Sequence, residues 1–304
     1  MIRSVSLVVL LTLPLLAAVP PPAHADTVTS PQVFQEVEAL RADIETIRRV
    51  LGIRPPRERT FRLRDADERQ VFYQAQTLFR KCNSLAREIG GVSRQSPAHA
   101  PDRDISSADV LSLVQAARKQ LDYVRDALAI SEQAELPRLE RRRTASDTMH
   151  GIIEAGYVIN VVLSEKPDWP AIYDRILQMQ TYIAGLEGEN PDYPGLAEFE
   201  CCKSPEDVYQ TLVGAMEASR PLAASAELSM VRIEPIKRAE AGASPSTVFD
   251  LTTTMLADIA ELTLRLEGAD AKPPGYERPA RILPSHVYQL AVALRRQIDQ
   301  AGPD

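Results

Sequence analysis

Apolar residues return along this chain at alternating steps of four and three. One series runs Val33, Val37, Leu40, Ile44, Ile47 and Leu51; a second runs Val71, Ala75, Leu78, Cys82, Leu85 and Ile89; a third runs Val110, Val114, Ala117, Leu121, Val124 and Leu128. Comparable series begin at Thr148, Ile172, Val208, Val248 and Val287, the sixth running as far as Leu222. A helix turns once every 3.6 residues, so each series is a single apolar stripe down one helix face. The pattern predicts an all-α protein: a helical bundle of about eight helices.

The segments also begin alike. Ser30-Pro31, Ser204-Pro205 and Ser244-Pro245 precede three of the stripes, Pro284 precedes a fourth, and Ser106 with Asp109 and Thr144 with Asp147 stand at two more. A hydroxyl at the N-cap accepts an orphan backbone N–H, and proline in the first turn loses no hydrogen bond. Gly52, Gly90, Gly188 and Gly268 stand where left-handed C-caps are expected. The residue after each stripe start is Phe34, Phe72, Leu111, Met149, Tyr173, Tyr209, Phe249 or Tyr288. Six of these eight are aromatic in a chain with only 5% aromatics, which points to an internal repeat.

Seven gaps separate the stripe starts, of 38, 39, 38, 24, 36, 40 and 39 residues. The short fourth gap, at residues 164–168, requires a hairpin. It divides the chain into a four-helix unit at residues 26–166 and a second at 167–304, two tandem four-helix repeats joined by long Pro-rich connectors such as those holding Pro55-Pro56, Pro97, Pro191 and Pro273-Pro274. An extended connector of about 15 residues reaches about 46 Å, further than the roughly 33 Å of a 22-residue helix. Two arrangements follow. The connectors can run back along the bundle so that successive helices point the same way, or they can be loose loops in an up-and-down bundle. The fourth helix is apolar nearly all round from Gly151 to Leu163, which predicts a central position.

Composition adds a location. Arg3, an apolar run from Val5 to Val19 and Ala23-His24-Ala25 have the layout of a secretory signal peptide over residues 1–25. Its apolar core is shorter than the roughly 20 residues of a membrane span, and no later stretch is long enough. The mature chain is expected to start at Asp26 as a periplasmic or secreted protein with no transmembrane span. It then carries 34 basic and 42 acidic residues, an acidic balance that argues against nucleic-acid binding. In an oxidising compartment Cys82 could pair with Cys201 or with Cys202, or it is a small buried apolar residue of its helix; the adjacent Cys201 and Cys202 form only a strained ring.

Candidate chemistry is sparse. No GxSxG, HExxH, phosphate loop or GxGxxG occurs, and no metal-ligand spacing is present, so no cofactor or metal is implied. If helix starts converge, their positive ends favour an anion, and Tyr209, Phe249, His286 and Tyr288 would line such a pocket. Alternatively they are a packed aromatic layer. Two basic clusters, one holding Arg54, Arg57 and Arg59 and the other Arg141, Arg142 and Arg143, could meet an anionic surface or lie in solvated linkers. The seam at residues 33–51 could pair with a second chain or dock into its own bundle. Glu154, in the apolar fourth helix, could be a buried acid of raised pKa. The expected role is non-enzymatic binding or scaffolding in the cell envelope, with an envelope protein or small anionic ligand as partner. The alternatives are an anion-binding or sensing module with its pocket at the helix starts, and a carboxylate-dependent enzyme acting on envelope polymers.

Overall fold

The computed structural model describes residues 28–55, 63–101, 103–164, 169–188, 191–233 and 243–302. Residues 1–25 therefore lie outside the described residues. The protein is mostly helical: α1 (Ser30–Val50), α2 (Glu68–Gly90), α3 (Ser107–Ala127), α4 (Ala145–Val162), α5 (Trp169–Gly185), α6 (Pro205–Ala218), a short α7 (Arg220–Ser225), α8 (Pro245–Arg265) and α9 (Pro284–Ala301). Two short strands, β1 (Leu63–Arg64) and β2 (Arg232–Ile233), pair antiparallel, with Leu63 opposite Ile233.

The caps follow the sequence closely. Ser106, Thr144 and Ser204 each accept the N–H three residues on, while Asp109, Asp147 and Asp207 reach back to the cap N–H. In α1 the cap is Thr29, one residue before Ser30. The sixth stripe does not run unbroken to Leu222, because Pro221 lacks an N–H and the chain re-forms as α7 at Arg220. The left-handed residue after α2 is Gly91 (φ 68°), with Gly90 still helical, and after α8 it is Glu267 rather than Gly268.

Each stripe is buried. Leu121, Ile176 and Ile259 are fully covered, as are Val37, Leu40, Ile44 and Ile47 of α1. The α1 seam thus docks into the chain's own bundle, and the expectation of pairing with a second chain through residues 33–51 does not hold for these positions. Burying such Leu and Ile side chains contributes about 1.5–3 kcal/mol each.

The helices form two groups with one packing scheme. In the first, α1 and α2 each pack on α3 and α4; in the second, α5 and α6 each pack on α8 and α9. All four helices of the first group point the same way. Their first turns meet at Ser30, Glu68, Ser107 and Ala145, Arg118 of α3 reaches Asp43 of α1 at 2.7 Å, and near the far end Gly90 lies against Tyr123. In the second group Arg175 of α5 meets Phe249 of α8 near their starts, Gln297 of α9 donates to the Gln180 carbonyl of α5, and Ala269 N–H donates to the Gly185 carbonyl at the far end. A Cβ at Gly185 would overlap the Ala269 oxygen, so only glycine permits this approach.

Connectors run back along the helices. Residues 93–98 pass Asn83 and then Gln76, descending α2. Residues 134–137 pass Asp43 and then Gln35, descending α1. Among the described residues, the first group is therefore not an up-and-down bundle.

The groups meet where α2 packs on α8. Arg69 faces Glu261, Gln70 faces Asp258 and Gln74 faces Thr254, so α2 and α8 are antiparallel and the groups point in opposite directions. The β1–β2 pair is a second tie across this seam. The expectation of a central α4 does not hold: α4 packs on α1, α2 and β1, and the bridging helices are α2 and α8, whose Gln, Thr and Asp side chains are buried in bonds across the seam.

Candidate functional site

The seam is where the unusual side chains lie. On α2, Gln70, Gln74 and Thr77 recur at helical spacing on the flank of the stripe that begins at Val71; Asp250, Thr254, Asp258 and Glu261 do the same on α8. All seven are buried. Buried polar groups need partners, and α2 and α8 mostly supply them to each other. Gln74 donates to the Asp250 carbonyl at 2.9 Å and to Thr254 Oγ1 at 3.3 Å, Gln70 donates to Asp258, and Arg69 pairs with Glu261. Burial raises both seam aspartates above the ordinary carboxylate range, Asp258 to about 8. Its Oδ2 meets no hydrogen-bond partner among the described residues.

Beside this ladder, α5 contributes Arg175. Its Nη1 donates to the Phe249 carbonyl at 3.1 Å and to Thr253 Oγ1, and its Nη2 donates to Thr77 Oγ1 at 3.4 Å. The guanidinium lies 3.7 Å from the centre of the Phe249 ring. Burial, and then the neighbouring Arg80, pull Arg175 down to about 9. Arg175, Arg80, Tyr73, Thr77, Gln178 and Thr253 line a cavity of about 190 Å³, with exposed Arg80 and Gln178 at its rim. Burial also depresses Arg80, and Arg94 adds to the effect. The ion pairs among the described residues include neither Arg175 nor Arg80.

Helix starts do converge in the first group, but over a cavity of only about 10 Å³. There the Glu68 carboxylate accepts the hydroxyls of Ser30 (3.0 Å) and Ser107 (2.8 Å). The favoured anion is the protein's own. The four residues expected to line a pocket each meet a different partner. Tyr209 is fully buried, its hydroxyl without a partner, and burial pushes it up to about 12. Phe249 stacks under Arg175. His286 accepts the Leu283 N–H at 3.0 Å, capping α9, and tilts against Phe199 at 4.9 Å. Tyr288 carries Lys203 4.2 Å from its ring centre. Of the four, only Phe249 touches the seam cavity's guanidinium.

Arg54, Arg141 and Arg142 are exposed, while Arg57 and Arg59 lie outside the described residues. Arg143 is engaged, 4.5 Å from the Phe34 ring centre and paired with Glu140 at 2.8 Å. Cys82 is fully buried within the first group, as its apolar reading has it, and Cys201 and Cys202 sit in an exposed turn; all three thiols are free and neither possible bridge is formed. Glu154 is not an acid of raised pKa. A hydrogen bond from His150 at 3.1 Å lowers it, and Arg41 at 2.6 Å adds to this against the opposing effect of burial.

Among the described residues no helix is long and apolar enough to cross a membrane, and no cluster of His, Cys, Asp and Glu could hold a metal ion. Arg175 itself carries no sequence signature: it stands on the flank of the α5 stripe, and only the packing of α2 and α8 gives it a cavity. No known protein family, curated protein or solved structure matches the chain closely enough to count as a relative.

Proposed function

We propose that the chain is an exported, non-enzymatic binding protein of the cell envelope, made of two tandem copies of a parallel four-helix unit, whose binding element is the seam between the copies. The duplication is supported by contacts that recur at matching positions. The residue before the N-cap of the second helix of each group donates its N–H to the serine in the first turn of the fourth: Ala66 to Ser146 at 3.0 Å and Lys203 to Ser285 at 3.2 Å. The aromatic starting the first helix carries a cation from the connector before the fourth: Phe34 with Arg143 and Tyr173 with Arg278. Export rests on the signal-like layout of residues 1–25.

The observation that carries the binding reading is the Arg175 cavity. A guanidinium on an aromatic face, fixed by a carbonyl and two threonines, is a preorganised donor beside open space. The carboxylate-enzyme reading is disfavoured because His150 and Arg41 hold Glu154 ionised, which suits it poorly to donating a proton at neutral pH. Native mass spectrometry of the protein released from its own periplasm tests the proposal. A bound small molecule, or a metabolite that raises the melting temperature, supports it; an unprocessed chain retained in the cytoplasm defeats the exported part. A broad metabolite panel without a thermal response defeats the binding part.

A further inference from the structure

We infer that the cavity between α2, α5 and α8 is a binding site for a small oxyanion, a phosphate or carboxylate group, received by Arg175 with Arg80 at the entrance. The inference rests on the binding reading above and names its ligand class.

Arg175 has five N–H donors. Nη1 donates to the Phe249 carbonyl and to Thr253, and Nη2 donates to Thr77. The Nε donor meets no acceptor among the described residues, and Nη2 makes a single hydrogen bond. Nε and Nη2 share the edge of the guanidinium fork that receives a carboxylate or phosphate through two parallel hydrogen bonds. Elsewhere the protein satisfies its buried arginines with acids: Arg118 with Glu36 and Asp43, Arg125 with Asp43, and Arg69 with Glu261. Arg175, part-buried, is held by neutral oxygens instead. Asp250 acts on it through space without a hydrogen-bonded pair, and burial favours the neutral form of that carboxyl.

The positive charge therefore stays largely uncompensated beside a cavity whose other lining groups, the Thr77 and Thr253 hydroxyls, the Tyr73 hydroxyl and the Gln178 amide, are neutral hydrogen-bonding partners. Arg80 and Arg94 extend the positive field outward, and Arg80 marks where an anion enters from solvent. An anion settling on Arg175 would relieve the repulsion between Arg175 and Arg80 and raise both back toward the ordinary guanidinium value.

The test uses the full mature chain, with inorganic phosphate and succinate as probes against sodium chloride at matched ionic strength. At about tenfold excess over its Kd, the preferred probe raises Tm by about 3 °C. Phosphate alone, or succinate alone, identifies which oxyanion the cavity takes. Arg175→Met abolishes the shift, and without ligand its Tm stays within about 3 °C of the parent's, because a part-buried charge without an acidic partner is lost together with its hydrogen bonds. Arg80→Gln, at an exposed rim where folding is not at stake, weakens binding about tenfold. Equal melting in phosphate, succinate and chloride overturns the inference, as does a shift that survives Arg175→Met. If that variant does not fold, unchanged affinity in Arg80→Gln is the overturning result. A different metabolite whose effect survives both substitutions removes this site and leaves the binding reading standing.

Discussion

The Glu68 carboxylate, in the first turn of α2, accepts the hydroxyl of Ser107, in the first turn of α3, at 2.8 Å. The same oxygen accepts Ser30 from α1. Parallel helices bring like dipole ends together, and an acid at their common start offsets the accumulated positive potential. Glu68→Ala removes that charge and strands two part-buried hydroxyls. The expected loss is about 2 kcal/mol in urea unfolding, with Glu68→Gln intermediate. A Glu68→Ala variant as stable as the parent would show that the converging dipoles need no counter-charge.

Asp43 is a second fixed point, 2% exposed and bonded to Arg118 at 2.7 Å, to Arg125 at 3.2 Å and to the Ala134 N–H at 2.8 Å. It pins α1, α3 and the returning connector at once. Asp43→Ala leaves two buried guanidinium groups short of an acid and is expected to cost about 3–5 kcal/mol. Thermal denaturation checks this. Adding Arg118→Met should recover part of the loss, and a purely additive double variant would contradict the network.

Asp258 makes stability depend on pH. Burial raises it to about 8, with Asp67 reinforcing the shift and Gln70 and Arg220 opposing it. In the unfolded chain an aspartate titrates near 4. Between about pH 4 and pH 8 the folded protein retains a proton that the unfolded chain releases, so this residue's contribution weakens as pH rises. Asp258→Asn should flatten that decline, the variant gaining on the parent steadily toward pH 8. Parallel stability profiles for the two proteins would refute it.

Tyr209→Phe removes a buried hydroxyl that has no partner. Its unfolding free energy should stay level or rise by up to about 1 kcal/mol. A loss above about 1 kcal/mol, measured calorimetrically, would mean that the hydroxyl is bonded after all.

The stripes were legible because one face of every long helix is dry, and the caps were legible because Ser106, Thr144 and Ser204 carry their own reciprocating acids. Helix direction was not. The connectors allowed two paths, and the bonds that choose between them, such as Gln76 to the Ala98 carbonyl, use residues with no local signature. The seam was hidden for a related reason. Gln70, Gln74, Asp250 and Asp258 look like a solvent face until α2 and α8 are brought together. The aromatics at the helix starts were a true pattern with another meaning: Phe72 and Tyr209 are core, Phe34, Phe249 and Tyr288 seat cations, and the buried Tyr173 does both.

Helices that all begin at one end leave few contacts to near neighbours in the chain. The Ser30–Glu68 and Ser107–Glu68 bonds close loops of 38 and 39 residues, and Asp43 reaches Arg118 across 75. Helical proteins ordinarily fold fast because their contacts are local. Here ordering must run far ahead of reward, in the manner of a sheet protein, and refolding after a denaturant jump should be slow for so helical a chain.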